Sequence, residues 1–191
     1  MSVKISIIGS AGRGNDAKHV SCKRFEAMVN IVETMILNAE YKWDQIQLIS
    51  GGAAFSDHIA VALFLKHPDS KLILYLPCPW DTTQYHDTGS SDWCVNPGRI
   101  SNKYHTEFTT KIGYNSLLQI EEAHKKGAIL DTTGRGFHSR NLKVSNCQIL
   151  IAFTSATGNE PPSDGGTSHT WKASNKYNPF KVHIPLSSLP L

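Results

Sequence analysis

Two junctions between an apolar run and a following helical pattern place paired glycines beside hydroxyl and carboxylate side chains. In the later one, Ile149-Leu150-Ile151-Ala152-Phe153 precedes Asp164-Gly165-Gly166-Thr167-Ser168-His169-Thr170-Trp171. In the earlier one, Gln47-Leu48-Ile49 runs into Ser50-Gly51-Gly52-Ala53-Ala54-Phe55-Ser56-Asp57. Glycines lacking Cβ atoms let the backbone approach a ligand, and the free N–H groups of a starting helix attract anions. The chemistry this suits is the holding of phosphate or ribose from two sides by Gly51, Gly52, Gly165, Gly166 and Thr167, with Thr170 one turn on. Tight strand-to-helix packing would use the same glycines without any ligand.

Further candidates lie on other loops. Gly9, Ser10, Gly12 and Arg13 follow the first apolar run, and Arg13 either pairs with phosphate or stays solvated. Asp57 falls one turn into its helix, where the dipole favours a carboxylate; it is either structural or the acceptor of a ribose hydroxyl or an acid/base group. Its neighbour His58 is expected to face away. Arg140 and Asn141, after Gly134-Arg135-Gly136, either cap a short helix or line the pocket floor, where Arg suits phosphate and Asn offers a donor and an acceptor. Trp80, Tyr85, Trp93, Tyr104 and Trp171 are available to stack on a base, worth about 1–3 kcal/mol each, or to pack an insert onto the sheet.

Other chemistries are disfavoured. None of the nine histidines forms a His-x-x-x-His or His-x-His pair, so no metal site is expected. No Gly-x-Ser-x-Gly elbow occurs. Cys22, Cys78, Cys94 and Cys147 are far apart and read as reduced thiols. The charge of +3 comes from dispersed Lys and Arg, with no run longer than Lys125-Lys126, which offers no concentrated surface to nucleic acid. No apolar run is long enough to span a bilayer, and a cytoplasmic location is the default expectation.

The elements that must position these residues alternate. Apolar runs at Val3–Ile8, Ile46–Ile49, Lys71–Leu76, Ala128–Leu130, Gln148–Phe153 and Lys181–Ile184 read as strands. Helical spacing appears over Lys18–Ala39, Ser56–Lys66, Asn102–Lys111, Tyr114–Lys126, from Asn141 to Asn146, and over His169–Lys176. With 40% hydrophobic residues, residues 1–191 fit one domain. The expected fold is α/β: a doubly wound, mostly parallel sheet with Rossmann-like three-layer architecture. The aperiodic stretch 79–101 reads as a loop or lid insert.

Four pieces in this order resemble the SLOG superfamily, which includes the DNA-processing protein A family and the Lonely Guy phosphoribohydrolases. They are Gly9-Ser10 after the first strand, Ser50-Gly51-Gly52 with Asp57, Arg140-Asn141 ahead of an apolar strand, and Gly165-Gly166-Thr167 with Thr170. The resemblance implies a Rossmann-like domain that binds nucleotides or nucleotide-derived molecules, or cleaves the N-glycosidic bond of nucleoside monophosphates, with the counterpart of Asp57 in the pocket. It departs at one point: the hydrolases carry a catalytic Glu about two turns into the late motif, where this chain reads Thr170-Trp171-Lys172-Ala173. A lysine cannot stabilise an oxocarbenium-like centre as a carboxylate does.

The expectation is therefore a pocket at the strand carboxyl ends that binds an ADP-ribose-like molecule, a cyclic nucleotide or a nucleoside monophosphate, with no cofactor. An N-glycosidic hydrolase or transferase using Asp57 or Glu107 is the alternative, and a DNA-binding or assembly module is a third. Pairing of chains through the Lys18–Ala39 helix is a further candidate feature.

Overall fold

Strands that are covered on both sides need apolar residues at nearly every position. β1 (Val3–Gly9) is such a strand: Ile5 and Ile7 face one side of the sheet, Ser6 and Ile8 the other, and all four are buried. The computed structural model describes residues 2–190. In chain order β1 is followed by α1 (Cys22–Asn38), β2 (Ile46–Ser50), α2 (Ile59–Lys66), β3 (Lys71–Tyr75) and a small hairpin of β4 (Trp80–Asp81) and β5 (Gln84–Tyr85). Then come α3 (Pro97–Ile112), α4 (Ser116–Lys125), β6 (Ile129–Asp131), α5 (Gly136–Val144), β7 (Ile149–Thr154), α6 (Gly165–Ala173) and β8 (Phe180–Pro185).

Six strands form one wholly parallel sheet in the order β6-β3-β2-β1-β7-β8, with Ile5 opposite Leu48 on one side and Ile149 on the other. Its two faces carry different cores. Ile5, Ile7, Leu48 and Phe153 pack under α1, α2, α3 and α4 through Phe25, Met28, Leu63, Phe108 and Ile120. Ile8, Ile49, Leu150 and Ala152 pack under Val144 of α5 and Trp171 of α6. The fold is thus a three-layer, doubly wound α/β domain. α1 shows why its sequence is helical: Phe25, Met28, Val29, Val32 and Ile36 share one buried face, and Ser21 Oγ accepts from the Arg24 amide at 3.2 Å. Each such fully buried side chain stabilises the fold by about 1.5–3 kcal/mol.

From β1 the chain steps outward through β2 and β3 to β6, then returns to lay β7 on the opposite flank of β1. The crevice outside the carboxyl ends of β1 and β7 is therefore the topological switch point, where open α/β sheets bind ligands.

Several boundaries differ from the sequence reading. The helix expected from Lys18 begins at Cys22, because Val20 and Ser21 are extended and Gly14–His19 forms its own 3-10 turn. Asp57 lies in a 3-10 turn, Phe55–His58, ahead of α2. The stretch 79–101 is not all loop: it holds the β4–β5 hairpin, and α3 already starts at Pro97, the first position, where proline's missing N–H costs nothing. Asn96 caps it, accepting from the Arg99 amide at 3.3 Å. α5 starts at Gly136, so Arg140 and Asn141 sit within a helix and cap nothing. α6 starts at Gly165, a turn before the expected His169. Among the described residues no helix is long and apolar enough to cross a membrane.

Candidate functional site

At the switch point the end of β1 is tied to its neighbours by backbone bonds. The Ser10 amide donates to Phe153 O at 2.9 Å, and the Ser56 amide donates to Ser10 O at 3.1 Å. Thr167 Oγ1 in the first turn of α6 donates to Gly9 O at 3.0 Å, fixing the start of that helix over β1. Ser10 Oγ contacts Asp16 Oδ2 at 2.5 Å and accepts from the Gly12 amide at 3.0 Å. Asp16 is thereby a half-buried carboxylate tied to the loop that follows β1, and nothing in its sequence setting singled it out.

The Ser50-Gly51-Gly52 turn closes on itself. The Gly51 amide donates to Asp57 Oδ2 at 3.1 Å and the Gly52 amide to Ser50 Oγ at 3.2 Å, so both N–H groups already have protein partners. Gly51 is needed for close approach: a Cβ there would lie 2.4 Å from Arg140 Nη1 and 2.8 Å from Asp57 Oδ2. Between the glycines and Asp57, Phe55 adopts a left-handed φ of 61° while wholly buried. A bulky residue there costs about 1–3 kcal/mol, tolerated because packing against Phe108, with ring centroids 6.0 Å apart, holds the turn.

Arg140 links this turn to α6. Its Nη1 donates to Gly51 O at 2.7 Å and lies 4.0 Å from Asp57 Oδ2, while Nε and Nη2 donate to Asn141 Oδ1 at 3.1 and 3.0 Å. Asn141 Nδ2 donates to Gly166 O at 3.3 Å, and Thr170 Oγ1 donates to the same carbonyl at 3.1 Å. Gly9, Gly51, Asp57, Arg140, Asn141, Gly166, Thr167 and Thr170 are thus linked in one hydrogen-bonded cluster at the strand carboxyl ends, although they come from four separate parts of the chain. Asp57 is 4% exposed, and burial pushes its carboxyl above the usual range; Arg140 and the backbone at Ala53, Gly51 and Gly9 oppose that shift.

Behind the turn is a layer that sequence reading missed. Gly52, at φ 68°, presents its carbonyl to two donors: Tyr85 Oη from the hairpin, and His105 Nε2 from α3 at 2.9 Å. A carbonyl can only accept, so His105 carries its proton on Nε2, leaving Nδ1 to accept from Ser116 Oγ at 2.9 Å. His58, expected to face away, is fully buried beside it: its ring centroid is 5.8 Å from that of His105, and Nε2 bonds Gln119 Oε1 at 2.8 Å. Burial pulls His58 down to about 4, against the Gln119 bond, and His105 down to about 3 through burial and the neighbouring His58. Tyr85 is likewise kept neutral by burial.

α1, α3 and α4 have side-chain caps from Ser21, Asn96 and Asn115, whereas the starts of α2, α5 and α6 have none, and at α6 both first residues, Gly165 and Gly166, are exposed. Other sequence candidates fall elsewhere. Arg13 is exposed in the loop after β1, and Glu107 is on the outer face of α3, 3.9 Å from Lys103. Lys172 turns outward to Ser163 O at 2.8 Å. A cavity of about 340 Å³ flanks α6 between Ser163, Ser168, Trp171 and Lys181, and both of its lysines are engaged, Lys172 with Ser163 O and Lys181 with Trp171 O at 2.6 Å. No group of three or more His, Cys, Asp or Glu able to hold a metal occurs among the described residues.

Comparison with known proteins gives three findings. No protein-family model matches the chain. The uncharacterized protein R261 of Acanthamoeba polyphaga mimivirus is 34% identical over 187 residues, covering 96% of this chain and 97% of that protein. A solved structure of DNA processing protein A from Streptococcus pneumoniae aligns with a TM-score of 0.48 at 13% identity, over 96% of this chain and 50% of that one, so the chain spans half of its length.

Proposed function

The chain belongs to the family of the mimivirus protein R261, and we propose that it binds a nucleotide or nucleotide-derived small molecule, in the manner of a SLOG-type domain, at the carboxyl ends of β1 and β7. The observation that carries this reading is the uncapped, glycine-exposed start of α6 opening onto the crevice that Arg140 underlies. Free amides and the positive end of the helix dipole favour an anion there. Arg140 uses three of its five N–H protons within the protein, which leaves two for a phosphate. The amides of Gly51 and Gly52 are engaged, so in this reading that turn shapes the floor and α6 supplies the phosphate contacts. Asp16, on the loop that follows β1, offers a carboxylate to ribose hydroxyls.

Binding without turnover fits the carboxylates best. Asp57 is enclosed and bonded to Gly51, Glu107 is outside the crevice, and the position that carries the hydrolases' Glu is taken by the outward-facing region of Lys172. A cytoplasmic site of action and pairing of chains through α1 belong to the same proposal, and light scattering tests the second.

The function is tested by incubating the protein with nucleoside monophosphates, ADP-ribose, NAD and cyclic nucleotides, recording thermal shift and products by mass spectrometry. At a hundredfold excess over Kd, a ligand adds about 2.7 kcal/mol, which raises Tm by about 5–10 °C for a chain of this size. An intact stabilising ligand supports the binder, released base supports the N-glycosidic alternative, and no shift with any member refutes the pocket.

A further inference from the structure

The one large aromatic that the hairpin region leaves in water is Trp93, 57% exposed. Its loop is nonetheless tied down. Buried Asn96 donates from Nδ2 to Asp87 Oδ1 at 2.5 Å and to Ser90 O at 2.9 Å, and its amide donates to Asp92 O at 2.7 Å. The Cys94 amide donates to Asp92 Oδ1 at 2.8 Å, so the residues on both sides of Trp93 are held. The other candidate aromatics are engaged: Trp80 Nε1 donates to Glu121 Oε2 at 3.2 Å, Tyr85 is fully buried, Tyr104 packs half-buried against the larger core, and Trp171 lies in the core under α6.

Trp93 faces Phe137 in the first turn of α5, with ring centroids 6.1 Å apart and planes inclined at 36°. Phe137 in turn lies under the Arg140 guanidinium, whose Cζ is 5.5 Å from the ring centroid. We propose that Trp93 and Phe137 form a slot that takes the planar base of the ligand, next to the Arg140 end of the crevice; this rests on the nucleotide reading above. At 6.1 Å and 36° the two rings already form an aromatic pair, so the base enters by parting them and exchanges that contact for stacking against both faces. The bonds that hold the loop keep the exposed indole beside Phe137 and reduce the ordering cost at binding. Stacking of this kind tolerates any base, so the slot sets the class of ligand and leaves its identity to polar contacts.

The test is calorimetric titration of the full chain with adenosine 5′-monophosphate and with ribose 5-phosphate, which lacks the base. The wild type should bind the nucleotide at least about tenfold more tightly. Trp93→Ala, at an exposed position, should remove most of that advantage and leave ribose 5-phosphate affinity unchanged, and Trp93→Phe should restore it. Equal affinity of the wild type for both probes, or equal weakening of both in Trp93→Ala, overturns the slot while leaving the phosphate site standing. If neither probe binds, the pocket reading fails and the slot fails with it.

Discussion

Lowering the pH from 7 to 5 should remove about 4 kcal/mol of folding stability through two buried histidines. In the folded protein His58 titrates near 4 and His105 near 3, against an ordinary value of 6.5. Their folded values lie below the unfolded one, so the unfolded chain takes up protons first. Stability is complete above 6.5 and falls as the pH drops from there towards 4 and 3. At pH 5 each unfolded imidazole is largely charged while the folded rings remain neutral; about 1.5 pH units at 1.36 kcal/mol each give about 2 kcal/mol per ring. A typical domain has about 5–15 kcal/mol in all, so the loss is large. Less buried His19 and His169, also shifted down mainly by desolvation, push the same way. Carboxylates held low do not confuse the window: Glu33, bonded to Lys66, and Glu121, bonded to Trp80, lose their contribution only below their ordinary value of 4.5, whereas buried Asp57, held above its ordinary value, takes up its proton earlier in the folded chain and works against the loss. The assay is urea unfolding at pH 7, 6 and 5, alongside NMR of the histidine ring carbons in the native protein. Stability unchanged within about 1 kcal/mol between pH 7 and 5, or His58 and His105 rings that titrate near 6.5, would refute the reasoning.

Three further outcomes follow from the same geometry. Gly51→Ala pushes a methyl to 2.4 Å from Arg140 Nη1 and should cost about 1–3 kcal/mol in chemical denaturation; wild-type stability would show that the turn has room to give. Arg140→Met leaves the buried Asp57 carboxylate without its cation and should cost about 3–5 kcal/mol, and adding Asp57→Asn should recover more than half, so a single variant as stable as the wild type would remove the charge argument. Tyr85→Phe takes one of two donors from the Gly52 carbonyl, with an expected loss of about 1 kcal/mol and a drop in Tm of about 2–4 °C by calorimetry; an unchanged Tm would mean that His105 alone suffices.

Much of the architecture is legible along the chain because burial on both faces leaves a local trace. Val3–Ile8 and Gln148–Phe153 are apolar without interruption, as central parallel strands must be, and the spacing of Phe25, Met28, Val32 and Ile36 could serve only a one-sided helix. Starts and stops were harder. Pro97 reads as a breaker from its own properties, yet with Asn96 in front it begins a helix; Gly165 and Gly166 read as loop, yet sit in a first turn, where low helix propensity matters least. Asp16 had no local distinction at all, since what makes it notable is a bond to Ser10.

By itself, then, the sequence determined the layers, the alternation of strand and helix, and which glycine turns lie at strand ends, since each of these is a short-range consequence of hydrophobic period and backbone freedom. Tertiary structure decided which groups meet. It set Arg140 against Gly51 across 89 residues of chain, gave the Gly51 amide to Asp57 while leaving the start of α6 uncapped, and buried His58 beside His105. Those contacts depend on the order of strands in the sheet and on desolvation, and both exist only once distant segments pack together.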